Sequence, residues 1–174
     1  MKSIASYASP FLVLALSACI GVTGRALVPG ESTTTEVDAR LGPVSEVRSA
    51  VDGETVRYYS RQPWGRETYA ARMGADGRLR KLEQVLTADN VAKLHAGTSG
   101  PKEVRDLLGP PYSIETNPRL QREIWSYKLQ ALTPSPKDLV VQFSRDGLVR
   151  EIYMLDDERW SSGALDPLPG TGVS

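Results

Sequence analysis

The sequence predicts an α+β fold made of two tandem repeats, each a short helix (or helix pair) packed on an antiparallel β-meander. Three features support this prediction: a helix segment that occurs twice, an Asp-Gly turn that occurs twice, and β-rich segments between them. The features follow in the same order in both halves of the chain. We therefore interpret the chain as a duplication of one unit.

The helix segment of the first repeat, residues 30–43, aligns with residues 97–110 at a shift of 67 residues, and half of the aligned positions are identical. Both segments carry signals for the start of a helix. Thr33 and Glu36 have the spacing of a capping box, and the second segment places Pro101 at its first helical position. We expect one short helix from each segment.

Glycine and proline mark the end of both helix segments. Gly42 and Gly109 stand where a helix end in the left-handed conformation is expected, and the prolines after them prevent continuation. The apolar residues of each segment lie about one turn apart, so one face of each helix can pack on a sheet. These residues are Val37, Leu41, Val104, Leu107 and Leu108.

The Asp-Gly turns lie in residues 73–82 and residues 143–152, which align at a shift of 70 residues. An Asp-Gly pair between apolar stretches favours a hairpin in which both central residues have positive φ. Residues 79–86 also fit the period of a helix, but the β-rich partner segment 148–155 favours a strand. Residues 87–96 are expected to form a linker that can hold another short helix.

Further strands are expected at residues 55–61 and 122–129, which are rich in aromatic and β-branched residues. Aromatic side chains in strands usually fill a core or cover a sheet face. Those that face away from the helices would instead line a concave surface for a partner. On this basis Trp125 and Tyr127 are candidate partner-binding residues.

The loops between the matched elements are the other place to look for a binding site, because loops carry added function. The repeats differ at residues 61–66, 117–121 and 132–137. Trp64, flanked by Arg61 and Arg66, has the composition of an interface anchor. The alternative is a tryptophan folded over its own sheet edge, with the arginines in water.

The first residues have the organisation of an export signal, with basic Lys2, the apolar residues 11–16 and a Leu-Ser-Ala-Cys motif that ends at Cys19. The apolar run is too short to span a bilayer. The motif resembles the lipobox of bacterial lipoproteins, which implies cleavage between Ala18 and Cys19 and acylation of the cysteine, including palmitate. The alternative is a buried free thiol. Ile20, in place of aspartate, implies sorting to the outer membrane.

Composition argues against several classes of function. Lys and Arg number 21, as do Asp and Glu, so a nucleic-acid partner has no support. Cys19 is the only cysteine and His95 the only histidine, so the ligands for a metal site are missing. Nothing at catalytic spacing accompanies His95. We predict no catalytic residues, no metal, no cofactor and no enzymatic activity.

These patterns divide the chain into five parts. We predict a lipoprotein signal peptide, a lipidated tether, a first repeat, a second repeat and a disordered tail. Their respective bounds are residues 1–18, 19–26, 27–87, 88–157 and 158–174.

The combination of lipobox, short helix, Leu-Gly-Pro and Asp-Gly hairpin resembles the SmpA/OmlA family of BamE-like outer-membrane lipoproteins. The second repeat carries the resemblance best, in Leu94-His-Ala-Gly97, Val104, Leu108-Gly-Pro-Pro111, Trp125-Ser-Tyr127 and Asp146-Gly147. Two such units in tandem are similar to the architecture of β-lactamase-inhibitor proteins. The resemblance implies a protein that is lipid-anchored at the outer membrane, faces the periplasm and binds other envelope proteins.

Three functions follow as hypotheses. The first is a non-catalytic module that binds envelope proteins and assists outer-membrane protein assembly or envelope integrity. The second is an inhibitor-like module that binds a periplasmic or extracellular enzyme through a concave sheet. The third, hydrolysis, would require a cluster of polar residues in a pocket.

Overall fold

The computed structural model describes residues 26–130 and 137–157. Within these ranges the chain has the predicted α+β class, with short helices and two antiparallel four-stranded sheets. The first half contains α1 (Thr34–Leu41), β1 (Glu46–Ser49), β2 (Thr55–Ser60), β3 (Thr68–Met73) and β4 (Leu79–Gln84). The second half contains α2 (Ala88–Val91), α3 (Pro101–Leu108), β5 (Ser113–Asn117), β6 (Arg122–Leu129), β7 (Lys137–Phe143) and β8 (Val149–Asp156).

Several predicted segments lie outside the described residues. These are the signal peptide at residues 1–18, Cys19 with most of its tether, residues 132–136 of the third divergent loop, and the tail from residue 158. In the part of the chain that is described, no helix is long and apolar enough to cross a membrane.

Helix α1 begins with the predicted capping box. The Thr33 hydroxyl accepts a hydrogen bond from the Glu36 backbone N–H at 3.4 Å, and the Glu36 carboxylate accepts one from the Thr33 N–H at 2.8 Å. Val37 is fully buried and packs with Tyr59 and Met73 in the core between α1 and the first sheet, β1–β4. The capped helix therefore covers one face of that sheet.

Asp38 fastens α1 to strand β2. Its carboxylate accepts hydrogen bonds from Arg57 Nη2 at 2.9 and 3.0 Å and from the Tyr59 hydroxyl at 2.7 Å. Burial acts to raise the pKa of Asp38, but the hydrogen bonds from Tyr59 and Arg57 outweigh it and lower the pKa. Burial and the hydrogen bond to Asp38 raise the pKa of Tyr59 to about 12. The tyrosine therefore remains a neutral donor to an ionised carboxylate.

The two Asp-Gly turns form hairpins as predicted, but their geometry differs from the prediction. Only the glycine of each pair has positive φ, 71° at Gly77 and 76° at Gly147. The N–H of each glycine bonds to the carbonyl three residues earlier, at Gly74 and Ser144, at 2.9 Å in both. The strands then shift register beside the turn. A type I turn with a glycine bulge requires positive φ at the last residue alone, so the predicted two-residue turn was wrong.

The helix ends also differ from the prediction in one angle. Gly42 and Gly109 have φ of 88° and 78°, as glycine at these positions predicted, but ψ of −162° and −169°. This is not the left-handed conformation, because the backbone leaves each helix extended. Glycine is favoured all the more strongly here, since side-chain-bearing residues scarcely adopt these angles.

The same backbone hydrogen bonds attach both helix segments to their sheets. In each half, the first residue of the last strand exchanges two hydrogen bonds, at 2.7 to 2.8 Å, with the segment before the helix. The bonds join Leu79 to Gly30 and Ser32, and Val149 to Gly97 and Ser99. Corresponding residues in the two alignments therefore occupy corresponding places.

The second sheet, β5–β8, packs on α3. Val104 and Leu108 are fully buried in a core with Trp125, Tyr127 and Phe143. The alternation of β6 places its aromatic residues on the face toward α3. Helix α3 begins with Pro101 at its first turn, as predicted.

Helix α3 also contacts the first sheet, on the face opposite α1. Arg105 Nη1 lies 2.5 Å from the Glu46 carboxylate, and Asp106 lies 2.6 Å from Arg48 Nη1. The chain is thus layered as helix, sheet, helix and sheet. The resemblance to β-lactamase-inhibitor proteins implies that the two repeats join their sheets into one concave surface. The described strands instead form two separate sheets that do not pair with each other.

Strands β1 and β5 were not singled out by the sequence. Both are short edge strands whose side chains are half-buried or exposed, so they carry little apolar pattern. By contrast, residues 79–84 form the preferred strand rather than a helix, and the predicted short linker helix is present as α2.

Candidate binding loop at Trp64

The connection between β2 and β3, residues 61–67, is the strongest candidate site, and we call it the Trp64 loop. The Arg61 N–H bonds to the Glu67 carbonyl at 2.9 Å, and the Gly65 N–H bonds to the Arg61 carbonyl at 2.6 Å. A Cβ at Gly65 would lie 2.5 Å from that of Arg61, so only glycine fits the tight turn. The loop is therefore closed by its own backbone.

Gln62 attaches the start of the loop to the second sheet. Its side-chain carbonyl accepts a hydrogen bond from the backbone N–H of Lys128 at 2.6 Å. Its side-chain amide lies 3.4 Å from the Thr68 hydroxyl and 3.5 Å from the Ser60 hydroxyl. The amide group thus joins the ends of β2 and β3 to the end of β6.

Arg66 attaches the end of the loop to the same region. Its Nη2 lies 2.6 Å from Asp157 Oδ2, and the Asp157 side chain is only 3 % exposed. Lys128 Nζ lies 3.3 Å from the other Asp157 oxygen and 2.6 Å from Asp138 Oδ1, with 5 % of its side chain exposed. We call Arg66, Lys128, Asp138 and Asp157 the ion cluster.

Trp64 lies between these two attachments and is 87 % exposed. An indole in water is a large apolar surface that a partner can bury. Because the loop is held at both ends, little additional ordering is required when a partner binds. A rigidly held, exposed tryptophan is the arrangement that protein interfaces use as an energetic anchor.

The two flanking arginines have different roles. Arg61 is exposed and forms no ion pair among the described residues, so its guanidinium is available beside Trp64. Arg66 turns inward to the ion cluster, with 19 % of its side chain exposed. The contact of Arg66 with a partner stays a prediction, and in the structure its guanidinium holds the end of the loop through Asp157.

Trp125 and Tyr127 are not surface residues, and their prediction as partner contacts was wrong. Trp125 is 3 % exposed and Tyr127 fully buried, since their strand turns this face toward α3. Arg105 covers the Trp125 ring at 4.6 Å, and the Tyr127 hydroxyl donates to the Gly109 carbonyl at 3.3 Å. Burial raises the pKa of Tyr127 well above its usual value.

The sequence placed Gln62 inside the divergent stretch 61–66 without giving it a role, and it did not indicate Lys128 or Asp157 as parts of the site. Gln62 lies in the Trp64 loop, Lys128 in β6 and Asp157 directly after β8. No regular sequence spacing connects the three residues. In β6 the side chains alternate between the two faces of the sheet, so Lys128 is expected to lie on the face opposite Tyr127, in contact with water. Its ammonium group pairs with Asp138 and Asp157 of the same half, and its backbone N–H bonds to Gln62 of the first half.

The remaining candidates from the sequence are the loop at residues 117–121, His95 and a metal site, and each has weaker structural support than the Trp64 loop. The divergent stretch at residues 117–121 forms the β5–β6 turn and borders an open depression of about 350 Å³. His95 is exposed. Over the described ranges, no three His, Cys, Asp or Glu side chains are placed to hold a metal ion.

Comparison with known proteins gives little further information. No protein-family profile and no curated protein matches the chain. The chain is similar to the crystal structure of a DUF4309 family protein, YjgB, from Bacillus subtilis. The sequences are 17 % identical, the match covers 77 % of this chain and 84 % of that one, and the TM-score is 0.30.

Proposed function

We propose that the chain is a lipid-anchored, non-catalytic module that binds envelope proteins through the Trp64 loop. In this proposal Cys19 carries the lipid, the anchor lies in the outer membrane and the body faces the periplasm. The single observation that carries the binding role is the exposure of Trp64 on a loop held at both ends. An accessory role in outer-membrane protein assembly or envelope integrity is the process that fits such a module.

We also propose that the two halves are copies of one helix-and-meander unit. The support is the matching set of hydrogen bonds at Leu79 and Val149, the matching glycines at the ends of α1 and α3, and the matching turns at Gly77 and Gly147. The Trp64 loop is one of the places where the halves differ in sequence, as expected for a function added to a shared scaffold.

The position of the loop favours a protein partner over the membrane surface. The chain enters the first sheet beside the β3–β4 turn, where Gly30 bonds to Leu79 and Thr34 to Gly77. The Trp64 loop lies at the opposite end of β3, about 20 Å away for a strand of this length. An anchor before residue 26 and a partner at Trp64 would therefore occupy opposite ends of the sheet.

The inhibitor-like alternative has less support. It requires one concave sheet built from both halves, whereas the described strands form two separate sheets and α3 lies between them.

The anchoring part of the proposal predicts that Cys19→Ala abolishes lipidation. We expect the variant to keep its signal peptide, to incorporate no labelled palmitate and to leave the outer-membrane fraction. Ser17→Ala, which keeps a small residue in the motif, should be processed normally. Unchanged processing and fractionation of Cys19→Ala would exclude the anchor.

The binding part predicts a specific neighbour at Trp64. A photoreactive benzoylphenylalanine at position 64, activated in intact cells, should give one or a few discrete adducts with envelope proteins. Ala75, exposed on the β3–β4 turn at the other end of the sheet, is the control position. The same adducts at both positions, or none at 64, would count against the proposal.

A further inference from the structure

Strand β8 has an unusual outer edge. It is the last strand of its sheet, and beyond Val149 no described strand pairs with its outer side. Tyr153, Met154 and Leu155 are 36 %, 43 % and 53 % exposed. Successive residues of a strand point to opposite faces, so neither face of this stretch is fully covered. An exposed apolar edge of this kind is a template for pairing with another strand.

The equivalent edge of the first sheet lacks these features. At the shift of 70 residues, Glu83 aligns with Tyr153 and Gln84 aligns with Met154. Glu83 is paired with Arg72 and with Lys81, so this edge carries charged groups. In β8 the charged residues Arg150, Glu151 and Asp156 instead flank the apolar run, so its middle lacks the charges by which sheets avoid pairing with other chains. The two halves thus differ at the edge, although the aligned residues Leu79 and Val149 are both fully buried.

We propose that β8 pairs with β8 of a second copy of this chain, antiparallel about a twofold axis at Tyr153. In this register Tyr153 meets its own copy, and Ile152 lies opposite Met154 of the partner subunit. In this register each even-numbered residue lies opposite an even-numbered residue of the partner subunit. The side chains that point to one face of the sheet in one subunit therefore continue on the same face of the sheet in the other. The pairing produces one eight-stranded sheet across two chains.

Charge favours this register. Arg150 falls opposite Asp156 of the partner subunit, and the twofold axis creates this pair twice. Arg150 is exposed and forms no ion pair among the described residues, while the Asp156 side chain is 65 % exposed beside Lys137. Opposite charges placed across an antiparallel pair stabilise it. Because a single strand pair buries a small area, the dimer is weak in dilute solution.

Crosslinking at the axis tests the pairing. Tyr153→Cys in the full chain should give a covalent dimer with a short bis-maleimide, because both thiols lie on the twofold axis. Glu83→Cys, at the equivalent edge position of the first sheet, is the matched control. The unsubstituted chain shows any reaction of Cys19. Absence of dimer at 153, or equal yields at 153 and 83, would overturn the proposal.

Charge exchange gives a second readout that separates pairing from folding. We expect Arg150→Asp and Asp156→Arg each to weaken the dimer about tenfold in sedimentation equilibrium, because each creates two repulsive contacts. The double variant should restore most of the affinity. A natural chain that stays monomeric at the highest concentration reached, or a double variant as weak as the single ones, would contradict the proposal.

Discussion

Gly109→Ala is expected to destabilise the protein by about 2 kcal/mol more than Gly42→Ala, although the two glycines end matching helices. Both positions have positive φ, 78° and 88° respectively, so both substitutions introduce backbone strain. Only Gly109 is also packed against a neighbour. A Cβ there would lie 2.6 Å from Thr68 Cγ2 and 3.2 Å from Tyr58 Cδ1, whereas nothing lies within 4 Å at Gly42.

The difference arises from the docking of α3 between the sheets. Thr68 and Tyr58 belong to the first sheet and are almost completely buried, so they cannot move away from an added methyl group without disturbing their strands. Urea unfolding of the two variants measures the difference. Equal losses of unfolding free energy would mean that the end of α3 does not pack against the first sheet as described.

Lys128→Met should destabilise the protein by about 3 kcal/mol, because it removes the ammonium partner of the buried Asp157 carboxylate and of the partly buried Asp138 carboxylate. Lys128 pairs with Asp138 and with Asp157, whose side chain is 3 % exposed. Methionine keeps the length of the side chain but provides no charge. Asp157 would keep its ion pair with the Arg66 guanidinium.

Lys137→Met is the matched control for Lys128→Met. Lys137 lies on the neighbouring strand and pairs with Asp156, which is largely exposed. An exposed pair contributes at most about 1 kcal/mol, so this variant should be close to the natural protein in stability. Thermal or urea unfolding of the two variants compares them directly. A Lys128→Met protein as stable as Lys137→Met would show that the buried Asp157 carboxylate does not depend on the Lys128 ammonium group.

Local features of the fold were predictable because their causes are local. The capping box at Thr33, the proline at the start of α3 and the glycine turns depend on residues a few positions apart. The turn at Gly77 was identified, but its type was not, since the register shift in the strands decides between the two geometries.

The arrangement of the two halves was not predictable from periodicity. Alternation in β6 identifies one apolar face at Trp125 and Tyr127 but does not say whether a helix covers it. Likewise, the sequence around Trp64 leaves open an exposed anchor or a tryptophan folded over its own sheet edge, and the structure exposes that side chain. The residues that fix the loop, Gln62 and Lys128, meet only through tertiary packing.

The most direct test of the account is the affinity of a partner captured at position 64 for the Trp64→Ala protein. We predict a loss of about 30-fold or more, as expected when an interface anchor is removed. Leu120→Ala, which removes an exposed apolar side chain from the β5–β6 turn, should leave the affinity unchanged. An undiminished affinity of Trp64→Ala would contradict the account.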